Sequence, residues 1–250
     1  MTVAAVILAA GFGTRLAPLT DNTPKPLLKV GAQPVITYLV DRLRELQHLD
    51  HVVVVINDQH QAQWHDWVQS LSMPAQVSVV SNGVQTEVER RGAVADLRLG
   101  LASLHDHSSG HHDRVIVLAG DNLLDEPLQP HLDAAQASNR PVVLCRDLGD
   151  DVPPGRFGEI TVDYDNIIVG FREKPADPRS PLAATCSYVL PGEIADEVDL
   201  YLVSGDADSP GSFVAWLAGR RSVEAHRLRG RYFDIGNHET LTAARQAFDG

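Results

Sequence analysis

Two glycines, an arginine and a lysine follow the first apolar run of the chain. The run at residues 3–10 leads into Gly11, Gly13 and Arg15, and Lys25 follows between two prolines. Glycine lets backbone N–H groups approach an anion closely, and cationic side chains neutralise the charge that the amides cannot. This segment therefore predicts a loop that binds the phosphates of a nucleoside triphosphate.

The segment differs from two better-known phosphate-binding loops. It lacks the Gly-Lys-Ser/Thr ending of a Walker A loop, and Leu16 stands where a dinucleotide-binding loop has its third glycine. A plain strand-to-helix turn would explain the glycines, but it gives no packing reason for Arg15 or for Lys25 between prolines. Phosphate binding is the preferred interpretation, and a dinucleotide-dependent oxidoreductase is the weakest alternative.

Two aspartates lie beside glycines later in the chain. Asp121 follows Gly120 at the end of the apolar run 115–119, and Asp234 precedes Gly236 by two residues. Ligands of parallel α/β sheets bind beyond the carboxyl ends of strands, and Mg²⁺ takes one or two carboxylates plus substrate phosphates and water. Each aspartate alone also suits a cap or an Asx-turn. Together with the phosphate loop, the two predict a Mg²⁺ site.

Glu173 and Lys174 end a predicted hairpin strand and are stiffened by Pro175. The carboxylate can accept a hydrogen bond from a sugar hydroxyl, and the ammonium can bind a phosphate. Taken alone, the two residues are explained equally well as a solvated surface pair.

Bulk properties exclude several classes of function. The chain has 250 residues, 44% of them hydrophobic and 22% charged, which is typical of a soluble globular protein. Its formal net charge of -12 argues against a nucleic-acid partner, because such binding needs a basic face. The first apolar run is too short to span a bilayer and lacks a positive n-region, so no membrane partner is expected.

The two cysteines, Cys145 and Cys186, lie inside apolar runs. They predict neither a disulfide framework nor a cysteine-ligated zinc site, which fits a cytoplasmic protein. The candidate motifs extend from residue 8 to residue 236, so a single domain over residues 1–250 is expected.

Strand-length apolar runs alternate with amphipathic segments in the first 150 residues. Strands are predicted at residues 3–10, 52–56, 77–80, 115–119 and 142–145, with helices at 35–46 and 92–104. The runs suggest strands buried on both faces and joined by right-handed crossovers. They predict a doubly wound, mainly parallel, Rossmann-like mixed sheet of α/β class. Trp64 and Trp67, three residues apart, are interpreted as a packing stripe.

The pattern changes after residue 150. Residues 157–162 and 167–172 flank a polar turn and predict a β-hairpin, inserted as a substrate-binding region. Further strands are predicted at 185–190 and 223–227, and further helices at 194–203, 213–218 and 239–248.

Five motifs, taken in order, resemble the sugar-1-phosphate nucleotidyltransferases, or NDP-sugar pyrophosphorylases. They are residues 8–16, 24–26, 120–121, 173–175 and 234–236. The resemblance covers nearly the whole chain and implies the nucleotide-diphospho-sugar transferase fold, as a catalytic domain without a C-terminal β-helix extension. It implies Mg²⁺-dependent transfer of a nucleotidyl group from an NTP to a sugar 1-phosphate, giving an NDP-sugar and pyrophosphate.

The resemblance also implies residue roles on the nucleotide side. Base, ribose and triphosphate would be bound by Leu8, Ala10, Gly11, Gly13 and Thr14. Arg15 and Lys25 would be the catalytic cations, with Lys25 neutralising the α-phosphate.

On the other side of the reaction, the resemblance implies a metal site and a sugar site. Asp121 and Asp234 would hold the metal. Gly158 and Glu173 would line the sugar site, and Lys174 would bind the sugar phosphate.

Two segments depart from the family pattern. Residues 85–96 replace a glycine-rich base-reading stretch; Gly92 matches it, and Gln85 or Glu87 could pair with a base edge. Cys186 stands two residues before Tyr188, where the family usually has glycine. The base (dTTP, UTP, GTP or CTP) and the sugar therefore stay open, as does a homo-oligomeric state.

Two alternatives keep the same opening loop. A choline-phosphate cytidylyltransferase would use aromatic faces such as those of Tyr188, Tyr232 and Phe233. A non-catalytic module of the same fold would sense an NTP or an NDP-sugar, although such a sensor has no need of two metal-binding aspartates. The segment holding His105, His107, His111 and His112 is interpreted as a solvated loop rather than a metal site.

Overall fold

The computed structural model describes residues 2–73, 75–107, 111–150 and 152–248. Strands alternate with helices over most of this range. In chain order the elements are β1 Val3–Leu8, β2 Lys29–Val30, β3 Gln33–Pro34, α1 Val35–Arg44, β4 Leu49–Ile56, α2 Gln61–Ser70, β5 Gln76–Ser81, α3 Ala93–His107, β6 Arg114–Ala119, β7 Asn122–Leu124, α4 Gln129–Ser138, β8 Val142–Asp147, β9 Glu159–Val162, β10 Ile168–Arg172, β11 Leu182–Pro191, α5 Ala195–Leu202, α6 Pro210–Ala218, β12 Glu224–Arg227, β13 Tyr232–Asp234 and α7 His238–Phe248.

The central sheet of the described chain has nine strands, with β10-β9-β11-β6-β1-β4-β5 as its main path. Strands β4, β1 and β6 pair in parallel, with Val6 opposite both Val53 and Val117, and β5 adds in parallel to β4. Strand β11 runs antiparallel to β6, β8 and β9. The predicted mixed α/β sheet and its antiparallel β9–β10 hairpin are confirmed.

Two apolar layers cover the faces of the sheet. Successive residues of β1 point to opposite faces, so Ala4 and Val6 pack with α3, α5 and α6, while Ala5 and Ile7 pack with α1, α2 and α4. The predicted packing of the tryptophans is confirmed, because Trp64 is 1% exposed and sits edge-on against the Trp67 ring.

Several elements differ from expectation. Strand β5 lies at the sheet edge and its residues are at most half-buried, so the prediction that residues 77–80 are buried on both faces is wrong. Helix α4 was not predicted, since only three of its side chains are buried and its sequence is largely polar. The small sheet of β7 and β13 was also missed, because each strand has only three residues.

Glu159 fixes the base of the hairpin. Its side chain is 3% exposed and accepts hydrogen bonds from Arg172 Nε at 2.8 Å, Arg172 Nη2 at 2.9 Å and the backbone N–H groups of Arg179 and Ser180. Burial alone would raise the pKa of this carboxyl, but the hydrogen bonds outweigh burial and lower the pKa. The ionised form is therefore part of the folded structure.

Replacing Glu159 with alanine should lower the free energy of unfolding by about 1–3 kcal/mol, because the backbone N–H groups of Arg179 and Ser180 lose their acceptor, while Arg172 keeps Asp177. Urea unfolding at neutral pH measures this cost, and Asp165→Ala in the exposed hairpin turn is the control. The stabilisation by Glu159 is present above the ordinary glutamate pKa and is lost as the pH falls through the lowered pKa of the folded state. Equal midpoints for the variant and the wild type would contradict the assignment.

Candidate active site

A cavity of about 340 Å³ opens where β1 and β6 end. Its wall includes Leu8, Ala10 and Gly11 after β1, and Ala119 at the end of β6. The hairpin and the segment before α6 complete the wall on the other side. The cavity therefore lies at the carboxyl ends of the parallel strands, where α/β sheets bind ligands.

Asp121 and Asp234 meet in this wall because β7 and β13 pair. Asp234 lies opposite Asn122, and the Ile235 N–H donates to the Asp121 carbonyl at 3.0 Å. Burial and the nearby Asp121 charge raise the pKa of Asp234, while Lys25, Arg15 and Arg156 oppose the rise. Two carboxylates held this close repel each other, and a cation bound beside them would relieve that repulsion.

Lys25 occupies the position next to this pair. Its ammonium forms an ion pair with the Asp121 carboxylate, and the lysine side chain is 12% exposed. Among the described residues, no group of three or more His, Cys, Asp or Glu side chains is placed to hold a metal. A cation bound here would have two protein carboxylates and would take its other ligands from substrate and water, which suits Mg²⁺.

The glycine loop forms a tight turn beside the cavity. Gly13 has φ +68°, its carbonyl accepts a hydrogen bond from Thr20 Oγ1 at 3.0 Å, and a single 3-10 turn follows at Thr14–Leu16. Gly13, Thr14 and Arg15 lie outside the cavity wall. The Arg15 guanidinium nevertheless lies near the acidic pair, since a Cβ on Gly236 would be 3.6 Å from Asp234 Oδ1 and 3.7 Å from Arg15 Nη2.

Gly92 lies in the wall, at the base of a second loop. It has φ +98°, and a Cβ there would overlap the backbone of Ala207. The Val94 N–H donates to the Ala207 carbonyl at 2.7 Å, and Arg90 forms an ion pair with Asp208. The start of α3 is thus held against the loop that precedes α6.

Gln85, a predicted base reader, is outside the cavity wall. Its side-chain amide donates to Asp58 Oδ2 at 3.3 Å, and its backbone carbonyl accepts a hydrogen bond from the Gln59 side-chain amide at 2.8 Å. Glu87 accepts a hydrogen bond from Thr14 Oγ1 at 3.4 Å and is also outside the wall.

Gly158, Glu173 and Lys174 come together in the hairpin side of the wall. A Cβ on Gly158 would lie 2.6 Å from the Phe171 ring, so a larger residue there would have to displace that ring. Lys174 has φ +41°, and its ammonium lies 3.4 Å from Glu173 Oε1. The predicted sugar-side group is assembled as a carboxylate next to an ammonium.

Sequence reasoning missed four charged residues of the wall: Arg90, Asp96, Arg156 and Asp208. One signal was available for Asp96. It directly precedes Leu97, a residue of the apolar stripe of a predicted helix, and a charged residue beside such a stripe is unusual. Arg90, Arg156 and Asp208 are in loops, where a sequence carries no comparable signal.

The prediction of a solvated loop over the histidine-rich segment is only partly right. It is wrong for His105 and His107, which are in the last turn of α3. Residues 108–110 lie outside the described residues. His111 is exposed, as a solvated loop predicts, but His112 is buried, with its Nε2 3.5 Å from Asp50 Oδ2.

Both cysteines should be unreactive in the folded protein. Burial raises the pKa of the Cys145 thiol to about 11 and that of the Cys186 thiol, in the cavity wall, to about 12. Because the thiolate is the reactive form, we expect alkylation at pH 8 to be more than about 10²-fold slower than for free cysteine. Mass spectrometry after timed alkylation, with guanidinium-unfolded protein as control, measures this; rapid labelling of either thiol in the native protein would contradict it.

A family model described as nucleotidyl transferase matches residues 4–249. The chain is 26% identical over 234 residues to the bifunctional protein GlmU of Methanococcus aeolicus, which covers 93% of this chain and 51% of the relative. It is 27% identical over 245 residues to the UTP–glucose-1-phosphate uridylyltransferase AglF of Haloferax volcanii, covering 97% and 95%. The chain thus spans about half the length of the GlmU relative.

Solved structures share the fold at lower identity. A UDP-glucose pyrophosphorylase complexed with UDP-glucose superposes with a TM-score of 0.82 at 20% identity, covering 99% of this chain and 98% of that one. The UDP-glucose pyrophosphorylase of Acinetobacter baumannii gives a TM-score of 0.78 at 20% identity, covering 99% and 93%. Among the described residues, no helix has the length and apolar character needed to cross a membrane.

Proposed function

Since the chain belongs to the nucleotidyl transferase family, we propose that it transfers a nucleotidyl group from an NTP to a sugar 1-phosphate, releasing pyrophosphate. One observation carries the proposal. A single cavity wall joins the acidic pair Asp121 and Asp234, with Lys25 beside it, to the sugar-side Glu173 and Lys174. The two ends suit two different phosphate-bearing substrates.

In the proposed reaction, a phosphate oxygen of the sugar 1-phosphate attacks the α-phosphorus in line. The new P–O bond forms as the bond to the β-phosphate oxygen breaks, and the electron pair leaves with pyrophosphate. A phosphate monoester is already anionic at neutral pH, so no strong general base is needed. The main obstacle is repulsion between two anions, which positioning and cationic side chains overcome.

The cationic side chains lie at different places along the site, and each would neutralise a different part of the phosphate charge. Lys25, next to Asp121, would neutralise the α-phosphate, and Arg15 would act from the Asp234 side. Lys174 would bind the phosphate of the sugar, while Glu173 and Gly158 receive the sugar ring. Mg²⁺, held by Asp121 and Asp234, would supply further neutralisation of phosphate charge.

The nucleotide would lie along the backbone after β1. We assign its base and ribose to the main chain of Leu8, Ala10 and Gly11 and to Gly92, which are all in the wall. Gly13 and Thr14 would reach the outer phosphates from the adjoining turn. A cytoplasmic location is part of the proposal, since Cys145 and Cys186 are free thiols, as in a reducing compartment.

A matrix of NTPs against sugar 1-phosphates, with Mg²⁺ and pyrophosphate as the readout, tests the proposal. Phosphocholine belongs among the acceptors, because Phe157, Phe171, Tyr188 and Tyr232 place aromatic rings in the wall. Pyrophosphate release that needs a sugar 1-phosphate supports the proposal. Release only with phosphocholine would indicate the cytidylyltransferase alternative, and calorimetric nucleotide binding with no pyrophosphate would indicate a sensor.

A further inference from the structure

Asp96 places a buried carboxylate in the wall of a cavity that must accept anions. The residue is 7% exposed and lies in the first turn of α3. Its Oδ1 accepts a hydrogen bond from Asn82 Nδ2 at 2.8 Å, and Asn82 is held by a hydrogen bond from the Val84 N–H at 3.0 Å. The carboxylate is therefore fixed in orientation.

The second oxygen of Asp96, Oδ2, has no donor among the described residues. It is not one of the atoms that are sealed inside the protein without a partner, so it keeps access to the cavity. Arg90, a neighbouring cation, is engaged with Asp208. A nearly buried carboxylate with an unused acceptor is costly unless something donates to it. In the open cavity water can donate to this oxygen, and a ligand that displaces the water must supply a donor in its place.

The position of Asp96 indicates which part of a bound nucleotide would donate to its free oxygen. Asn82 follows β5 and donates its N–H to the Ile56 carbonyl at the end of β4, and Asn57, just after β4, donates from its side chain to the Ala10 carbonyl at 3.1 Å. Asp96 is thus at the β4–β5 end of the cavity. The acidic pair follows β6 and β13, and the sugar-side group is on the hairpin. If the triphosphate lies at the acidic pair and the sugar at the hairpin, the nucleobase lies at the remaining end of the cavity, which is the end that holds Asp96.

We propose that Asp96 reads the nucleobase and selects bases that carry an exocyclic amino group, guanine above all, over uracil and thymine. This inference rests on the proposed function. Burial raises the pKa of Asp96, and the Asn82 hydrogen bond and the Arg91 charge oppose the rise. In its ionised form the carboxylate only accepts hydrogen bonds. Guanine offers N1–H and the N2 amino group on adjacent atoms, and cytosine and adenine each offer one amino group. Uracil and thymine offer one N–H between two carbonyl oxygens, which a carboxylate repels.

The test compares kcat/KM for GTP, CTP and ATP with that for UTP and dTTP, in the wild type and in Asp96→Asn. We expect the wild type to prefer GTP over UTP by about 10-fold or more. In the variant, Asn82 would hold the amide oxygen and the amide NH₂ would face the base. The GTP to UTP ratio should then fall by about 10- to 100-fold. Asp106→Asn, an exposed aspartate of the same helix that lies outside the wall, should leave that ratio unaltered.

Calorimetry of GTP and UTP with the wild type tests the same preference without a variant, should Asp96→Asn fold poorly. A wild type that turns over UTP or dTTP better than GTP would overturn the role of Asp96 while leaving nucleotidyl transfer intact. An unchanged ratio in Asp96→Asn would overturn it as well. Absence of pyrophosphate with every NTP would instead count against the proposed function, and calorimetry would still decide the base preference.

Discussion

Asp121→Asn is expected to lower Mg²⁺-dependent pyrophosphate release by about 10²-fold or more, by comparison with losing one preorganised electrostatic contact. The change removes one of two carboxylates that β7 and β13 bring together, and it leaves the backbone contact between Asp121 and Ile235 unaltered. A lone Asp234 would hold the cation weakly, so the Mg²⁺ concentration for half-maximal rate should also rise.

Steady-state assays across a Mg²⁺ titration measure both effects. Asp66→Asn, an exposed aspartate of α2, is the matched control and should behave as wild type. Near-normal turnover of Asp121→Asn would refute Asp121 as a metal ligand. Asp234→Asn should show the same loss.

A second large effect is expected at Lys25. Lys25→Met keeps most of the side-chain volume but removes the ammonium that faces Asp121, and we expect kcat/KM to fall by about 10²-fold. The same change leaves Asp121 and Asp234 without their nearest cation, so their mutual repulsion grows. Mg²⁺ should therefore raise the melting temperature of the variant more than that of the wild type.

In Lys25→Met, kcat/KM should fall while the Mg²⁺-induced rise in melting temperature becomes larger. This combination distinguishes a catalytic lysine from a structural one. A merely structural lysine would lower stability with and without Mg²⁺ and would not increase the metal-induced shift. Lys29→Met, at an exposed lysine four residues along the chain, is the control for both readouts. Wild-type kcat/KM in Lys25→Met would contradict its assignment to the α-phosphate.

Much of the sheet could be predicted because buried parallel strands are continuous apolar runs, as at β1 and β6. Helix α4 and the β7–β13 pair could not, since their hydrophobic signal is short and tertiary packing decides their conformation. That pairing nevertheless sets the site, because it joins Asp121 to Asp234 across more than a hundred residues. The single domain over residues 1–250 stays a prediction.

Candidate site residues were easiest to find where glycine, proline or a charge broke an apolar pattern, as at Gly13 and Lys25. Gln85 was chosen by matching to a family stretch, but its side chain turns to Asp58, a partner on another loop that no local pattern reveals. Asp96 carried a signal, as an acidic residue beside the apolar stripe at residues 92–104, but nothing local to the sequence shows that the first turn of this helix lines the cavity.

The contact between Gly92 and Ala207 has a consequence for engineering. The loop at residues 204–211 leads into α6, which packs on the hairpin strand β10, yet the same loop also carries the carbonyl that holds the start of α3. Exchange of this loop and α6 with those of a relative, as a way to change the sugar that is accepted, would also move the backbone under Asp96. The specificities for the sugar and for the base should therefore be coupled. A chimaera that receives this loop and α6 from a relative should also take on part of that relative's base preference.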